Sequence, residues 1–288
     1  MKAFRDPRAT AKKSLGQHFL NDQHVLHKIA ELARPPSGSG LIEVGPGTGN
    51  LTAHLLGLFA DTAPAPLCAI ERDARMIELI GERFQGRVPV IEGDAAALNW
   101  QELLTQPLMG PQPVVVGNLP YYAAMHILFA VAQAPTPPFR MVFMLQREVA
   151  DRLVAQPSTP AYGQISVKLQ LICDIKLALK VGPGAFSPPP KVDSAVVVLT
   201  PLAAPRYEAA GSAQFSRIVS AGFAQRRKTV VNSLLSTLPL QAVAIQQALA
   251  ELGLDPRIRG EALTLKQWAS LSLLLARQLG QIAGAIAV

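Results

Sequence analysis

The segment EVGPGTGNLT (43–52) sets glycines at 45, 47 and 49 behind a carboxylate, Glu43. Glycines in this spacing let the backbone turn tightly and approach a ligand with no Cβ in the way. Alone, such a loop serves a dinucleotide, an adenosyl sulfonium cofactor, or merely a turn. A pyrophosphate binder favours G-x-G-x-x-G and an uncompensated helix N-terminus. The spacing G-x-G-x-G behind an acid instead suits a ligand with an ammonium and a sulfonium, such as S-adenosylmethionine. Two further acids end short apolar runs, Glu71 in LCAIE and Asp94 in VIEGD. The Glu71 oxygens can accept from both ribose hydroxyls, and Asp94 from an adenine amino group. One acid at a strand end is more often a cap or a surface charge. Three at successive strand ends, facing one crevice, point to a nucleoside-bearing cofactor.

Asn118-Leu119-Pro120-Tyr121 is the most specific signal in the chain. An exocyclic adenine amine is a poor nucleophile, because its lone pair is delocalised into the ring. An Asn side-chain oxygen and a backbone carbonyl, each accepting one N–H, favour a pyramidal nitrogen with its lone pair exposed. Geometry and electrostatics then do the work without a strong base. Proline fixes the backbone and is expected to leave its carbonyl free for this purpose. Tyr121 offers a face for an extruded base, a contact contributing roughly 1–3 kcal/mol. The simpler reading, a turn with a buried Tyr, is weakened by the three acid-ended strands that precede the motif.

Positioning these residues requires alternating strands and helices. Apolar runs recur at LIEV (41), LCAIE (67), VPVIEGD (88), PVVVGN (113) and MVFML (141), with helix-like stretches such as ARMIELIGERF between them. That order implies βαβ units and a doubly wound, mostly parallel sheet. Residues 22–33 have helical spacing, with Asn21 or Asp22 as cap. DIKLALKV and KVDSAVVVLTP read as an antiparallel strand pair added at the sheet edge, joined by the proline-rich GPGAFSPPP. After a break near Leu202–Arg206 no strand pattern returns. A catalytic domain is therefore expected over 1–204, with residues 1–20 a basic arm, and a helical domain over 205–288.

The 288 residues carry a formal charge of +7, and 49% are hydrophobic; the pI is about 9.6. The core can be large, and the basic balance suits a polyanionic partner. Cys68 and Cys173 have no metal-ligand spacing, so no metal site is expected and a reducing, cytoplasmic compartment is. The arm has no apolar stretch of the secretory type. Trp268 to Val288 reads as a packed amphipathic helix, not a membrane span. His24, His27, His54 and His126 are scattered and read as packing or surface residues.

Taken together, the chain resembles the ribosomal RNA small-subunit adenine dimethyltransferases over nearly its whole length. The resemblance rests on KKSLGQHFL (12–20), EVGPGTGNLT, ERD (71–73), EGDA (92–95), GNLPYY (117–122), FMLQREVADRL (143–153), YGQISV (162–167), FSPPPKVDSAVV (186–197) and QRRKTVVNSL (225–234). It implies an α/β fold: a doubly wound, Rossmann-like methyltransferase sheet with an added antiparallel strand pair, plus a small all-helical C-terminal domain. It implies S-adenosylmethionine as cofactor, with S-adenosylhomocysteine as product. Gly45 and Gly47 would hold its methionine end, Glu71 and Arg72 the ribose side, and Asp94 and Ala95 the adenine. His18 and Leu20 would close over it, with Asn118 alongside. Asn118, Leu119 and Pro120 would orient the target amine, and Tyr121 and Phe186 would sandwich the target base. The chain departs from the usual pattern at His18, where Asn is frequent, and at Tyr122-Ala123-Ala124.

The implied reaction is methyl transfer to N6 of two adjacent adenines in a loop near the 3' end of 16S ribosomal RNA. The implied partner is the immature small subunit, met by a monomer without a membrane. Lys12 and Lys13 on the arm, Arg147 and Arg152 near the site, and Arg226, Arg227 and Lys228 in the helical domain are candidate phosphate contacts. A charge run is otherwise a solvated face. The competing readings are a large-subunit methyltransferase of the macrolide-resistance type and a non-catalytic RNA-binding assembly factor. Loss of Asp94 or Asn118 would favour the last, and both are present. A nicotinamide oxidoreductase would have no use for Asn-Leu-Pro-Tyr.

Overall fold

The computed structural model describes residues 10–12, 17–58, 66–208 and 212–286, with side chains to 276 and at Leu279. Lys13 and the start of the arm lie outside the described residues. The chain divides into two compact units, Met1–Ala150 with Ile175–Pro201, and Asp151–Asp174 with Leu202–Val288. The boundary expected at 204/205 falls beside the second crossing at Leu202, while Asp151–Asp174 group with the C-terminal helices.

In chain order the first unit starts with β1 (Phe19–Leu20), α1 (Gln23–Leu32), β2 (Leu41–Val44), α2 (Asn50–Leu58), β3 (Leu67–Glu71), α3 (Ala74–Arg83) and β4 (Val90–Glu92). There follow α4 (Trp100–Leu104), β5 (Val114–Asn118), α5 (Ala124–Ala132), β6 (Arg140–Gln146) and α6 (Arg147–Val154), which carries the chain into the second unit. After α7 (Gln164–Gln170) it returns along β7 (Cys173–Val181), β8 (Phe186–Ser187) and β9 (Ser194–Pro201). The expected strands all form. They build a seven-stranded sheet in the order β4-β3-β2-β5-β6-β9-β7. Strands β3, β2, β5 and β6 pair in parallel with their neighbours from β4 to β6, and β9 is antiparallel to β6. The added strands thus close one edge of a doubly wound sheet.

Chain order reverses between β2 and β5, the point where an open α/β sheet leaves a crevice at its carboxyl ends. Both strands are buried almost throughout, and apolar apart from Glu43 and the stretch Gly117–Asn118, because both faces are covered. Val114, Val115 and Val116 are fully buried, each contributing roughly 1.5–3 kcal/mol. Leu26, Ile29 and Ala30 of α1 share a core with Leu41, Val114 and Val116. Asp22 caps that helix, its Oδ1 accepting the Val25 N–H at 3.0 Å. Gly117 is required, because a Cβ there would lie 2.4 Å from the Val44 carbonyl oxygen.

One element has no counterpart in the sequence reading. Strands β1 and β8 form their own antiparallel pair, Phe19 opposite Ser187 and Leu20 opposite Phe186. It anchors the end of the arm to the proline-rich loop.

The second unit contains α7 with α8 (Ala213–Gly222), α9 (Val230–Leu235), α10 (Ala242–Glu251) and α11 (Leu265–Ile286). Val167, Phe215, Ile218, Leu234, Leu249 and Trp268 share its core. Buried Trp268, Leu271, Leu275 and Leu279 recur at helical spacing along α11. Among the described residues no helix is long and apolar enough to cross a membrane.

Candidate active site

Of the residues singled out at strand ends, Glu43, Glu71 and Asn118 converge on one cleft of the first unit, enclosing about 850 Å³ out to its mouth. Its walls include Glu43, Gly45, Gly47, Glu71, Arg72, and the whole run Asn118 to Tyr122. The arm supplies Gln17, His18, Phe19 and Leu20. The glycine loop that follows β2 takes positive φ at Gly45 (68°) and Gly47 (52°), where an L side chain is strained.

Two buried acids set the electrostatics. Glu43 accepts a hydrogen bond from the Thr52 hydroxyl at 2.7 Å. Burial nevertheless pushes its carboxyl up to about 7, and nearby Glu71 pushes the same way against Arg83. Burial also raises Glu71, opposed by the backbone N–H groups of Asp73, Arg72 and Gly47. Its Oε1 accepts from Arg72 (2.8 Å) and Asp73 (3.0 Å), and its Oε2 from Gly47 (3.3 Å). A carboxylate offers about four acceptor positions. One remains on Oε2 in this arrangement, where the sequence reading expected both oxygens to serve the ribose.

Buried carboxylates beside a loop of glycines fit a cationic nucleoside ligand better than a phosphate. A pyrophosphate placed here would meet two acids instead of donors. The chemistry of the cleft therefore fits S-adenosylmethionine.

Asp94 and Ala95 stand outside the cleft lining. Asp94 is half-exposed, with an oxygen 3.7 Å from Arg72 Nη1, and Ala95 is buried, its carbonyl accepting the Trp100 indole N–H. Arg72 also donates to the Tyr122 hydroxyl at 2.7 Å. Arg72 and Tyr122 thus reach across the ends of β3 and β5. Tyr122 carried no assigned role in the sequence, because nothing local shows that it meets Arg72.

At the end of β5, Asn118 Nδ2 donates to the His18 carbonyl oxygen at 3.1 Å. That contact turns Asn118 Oδ1 into the available acceptor. The Pro120 carbonyl is not free, contrary to the expectation from sequence: it accepts the N–H groups of Ala123 (3.0 Å) and Ala124 (2.9 Å) as the chain enters α5. Both lone pairs are used. Tyr121 is half-buried, its hydroxyl 2.9 Å from Ser194 Oγ, and its ring lies against the His18 ring. Phe186, expected opposite Tyr121, does not line the cleft. It is only 5% exposed and packs in the core that includes Leu20 and Val25.

A further residue missed in the sequence is Asp73, within ERD. Its buried carboxylate caps α3 and takes Arg75 Nη2 at 2.6 Å, Gln17 Nε2 at 3.1 Å and Lys12 Nζ at 3.5 Å. Those partners, Arg75 foremost, hold its carboxyl down at about 2. It ties the described part of the arm to α3. Its only sequence signal was an acid just before a helix. Lys12 is thus paired within the protein.

Arg147 borders a second cleft with Lys191, Glu148 and Asp193. In the second unit, Arg226 donates to the Pro160 carbonyl and pairs with Glu261 at 3.3 Å. Arg226, Arg227 and Lys228 are exposed on the loop between α8 and α9.

The chain is similar to known proteins over nearly its whole length. The family model described as ribosomal RNA adenine dimethylase matches residues 8–277. A ribosomal RNA small subunit methyltransferase A from Anaeromyxobacter sp. (strain K) is 44% identical over 268 residues, covering 91% of this chain and 92% of the relative. A crystal structure of a dimethyladenosine transferase from Plasmodium falciparum superposes with a TM-score of 0.71 at 26% identity, over 91% of this chain and 98% of the other. The 23S rRNA methyltransferase ErmE superposes with a TM-score of 0.64 at 26% identity, over 90% and 99%.

Proposed function

The chain belongs to the ribosomal RNA adenine dimethylase family, and from that premise we propose that it transfers methyl groups to N6 of two adjacent adenines near the 3' end of 16S ribosomal RNA. The observation that carries this reading is the direct continuity of the acid-lined cleft with Asn118–Tyr121. When bound, S-adenosylmethionine supplies the methyl group, carried on a sulfonium. Gly45 and Gly47 leave room for its methionine end, Glu43 sets a negative charge beneath it, and Glu71 accepts from the ribose. Arg72 and Asp94 flank the adenine side.

Asn118 Oδ1 accepts one hydrogen of the target amine. With the Pro120 carbonyl engaged, the Leu119 carbonyl is the acceptor for the other. Two acceptors at one nitrogen favour its pyramidal form and present the lone pair. Tyr121 stacks on the base and its hydroxyl bond to Ser194 fixes the ring. Arg147, Arg226, Arg227 and Lys228 track phosphate, with the helical unit as an RNA-docking domain. The substrate context is an immature small subunit in the cytoplasm, engaged by one copy of the chain.

The 44% identity to a small-subunit relative, and the higher TM-score of the dimethyladenosine transferase than of ErmE (0.71 against 0.64), support the small subunit over the large. The test supplies labelled S-adenosylmethionine with unmodified small- or large-subunit particles. Label should enter small-subunit RNA. Label confined to large-subunit RNA would reassign the substrate.

A further inference from the structure

We propose that Tyr122 is a positioning residue for the cofactor. Its hydroxyl fastens Arg72 across the cleft as a side-chain strap, which opens each time S-adenosylmethionine enters or the spent cofactor leaves. The proposal rests on reading the acid-lined cleft as the cofactor site and deepens it. Its starting point is that Tyr122 lines the cleft and is nevertheless 52% exposed. An aromatic ring that exposed contributes little to a core. What holds it is its bond to a charged partner from another strand.

The sheet sets the span of that bond. Val44, the last residue of β2, stands opposite Ile70 of β3 and Gly117 of β5. β3 and β5 therefore flank β2, about 10 Å apart at two strand spacings, and the glycine loop leaves from the end of β2 between them. Arg72 directly follows Glu71, the end of β3, and Tyr122 lies four residues beyond Asn118, the end of β5. Arg72 Nη1 donates to the Tyr122 hydroxyl at 2.7 Å, and its guanidinium carbon lies 6.0 Å from the centre of the Tyr122 ring. The two side chains thus meet across the end of β2. Glu43 and Glu71 are buried in the floor of the cleft, whereas Arg72 and Tyr122 are half-exposed. That difference places their bond at the mouth. A ligand resting on the glycine loop, with one end toward Glu71 and the other toward Asn118, lies beneath it.

The strap is built to swing from a fixed base. The Arg72 backbone N–H is held on Glu71 Oε1 at 2.8 Å, so opening needs only side-chain rotation. Asp94 Oδ2 lies 3.7 Å from the same Nη1. A sulfonium below therefore faces a paired guanidinium and not a lone cation. The Arg72–Tyr122 bond joins protein to protein and need not change when the cleft fills. Removing it should lower the barrier to entry and to exit alike, with affinity nearly unchanged. Loss of an ordinary ligand contact acts differently, raising dissociation alone.

The test measures both rates with S-adenosylmethionine as the probe. Stopped-flow mixing gives association, and a chase of labelled cofactor by excess S-adenosylhomocysteine gives dissociation. Tyr122→Phe keeps the ring and loses the acceptor. It should speed association and dissociation by about fivefold each, the worth of one exposed hydrogen bond, with Kd within about twofold of wild type. In an Arg72→Met background, Tyr122→Phe should add nothing, because the bond is already lost. The proposal is overturned if Tyr122→Phe leaves both rates unchanged, if dissociation alone rises, or if its effect is equally large with Arg72→Met present. Failure of the cofactor reading looks different. The wild-type protein would then bind no S-adenosylmethionine in calorimetry, whereas normal affinity with unmoved rates in Tyr122→Phe removes only the strap.

Discussion

Strands β2, β3 and β5 place Glu43, Glu71 and Asn118 by continuous backbone pairing inside a buried sheet, whereas Gln17 to Leu20 are held by scattered contacts to distant segments. The first region is fixed by a regular strand register, Glu43 opposite Ala69 on one side and Val116 on the other. Every residue of β2 and β3 is buried, and Gly45 N–H bonds the Ile70 carbonyl at 2.9 Å. The arm instead depends on Asp73, Asn50, Asn118, Pro188 and β8. The difference teaches that the acids and Asn118 are built into the sheet, while the arm that borders the same cleft is held by closing a non-local loop. Substitutions should sort accordingly.

The largest separation is expected from Asn118→Ala. It removes an acceptor felt mainly in the transition state, so single-turnover methyl transfer should fall by about 10²-fold or more, with cofactor affinity within about twofold. An equal loss in affinity would erase the distinction between Asn118 and the acids that face the cofactor. Glu71→Ala should do the reverse. Calorimetry should show cofactor affinity reduced roughly 10- to 100-fold, since a charge-assisted acceptor is lost and three backbone N–H groups are left without it.

Glu43 provides a graded version on the sheet side. Its folded value of about 7 lies above the ordinary 4.5. In the cofactor-free protein it therefore costs nothing below about pH 4.5, and destabilises increasingly as pH rises toward 7. A cationic ligand favours the ionised acid. Affinity for S-adenosylmethionine should rise roughly three- to tenfold between pH 6 and 8, and Glu43→Gln should flatten that rise. A steep rise persisting in Glu43→Gln would place the titrating group elsewhere.

Asp73→Ala removes both the α3 cap and an anchor of the arm, and should speed hydrogen exchange across the first turn of α3 and across Gln17–Leu20 but not across β2 or β5. Exchange unchanged in the arm would mean that β1–β8 pairing suffices to hold it. The smallest effect is expected in the helical unit. Reversing Arg226, Arg227 and Lys228 should weaken RNA binding a few-fold. The log–log salt slope should fall by about 1 per lost phosphate contact, with cofactor affinity untouched. Arg226 already bonds Glu261, so the exposed Arg227 and Lys228 should account for most of the change.

The same contrast explains what could be read from the sequence. LIEV, LCAIE and PVVVGN announce buried strands because their apolar runs and bounding turns are local, and the acids at their ends fall where the chain order reverses. Asp22 was one of two possible caps, and the fold selects it. The β1–β8 pair escaped because two residues carry no period. Phe186 was misplaced because FSPPP does not say whether an aromatic faces a cleft or a core. The Pro120 carbonyl looked free because its partners are made only when α5 begins. Asp151–Asp174 looked continuous with the sheet, yet Val167 and Leu171 share their core with Phe215 and Trp268. Hydrophobic spacing shows that a helix has a buried face, not which core receives it.

The most direct test of the account is nucleoside-resolved mass spectrometry of small-subunit RNA through a time course with the wild-type protein and Asn118→Ala. The account predicts two adjacent N6,N6-dimethyladenosines near the 3' end with the wild-type protein, and neither on the same timescale with Asn118→Ala. Methyl groups at any other atom or nucleotide, or a full yield from Asn118→Ala, would contradict it.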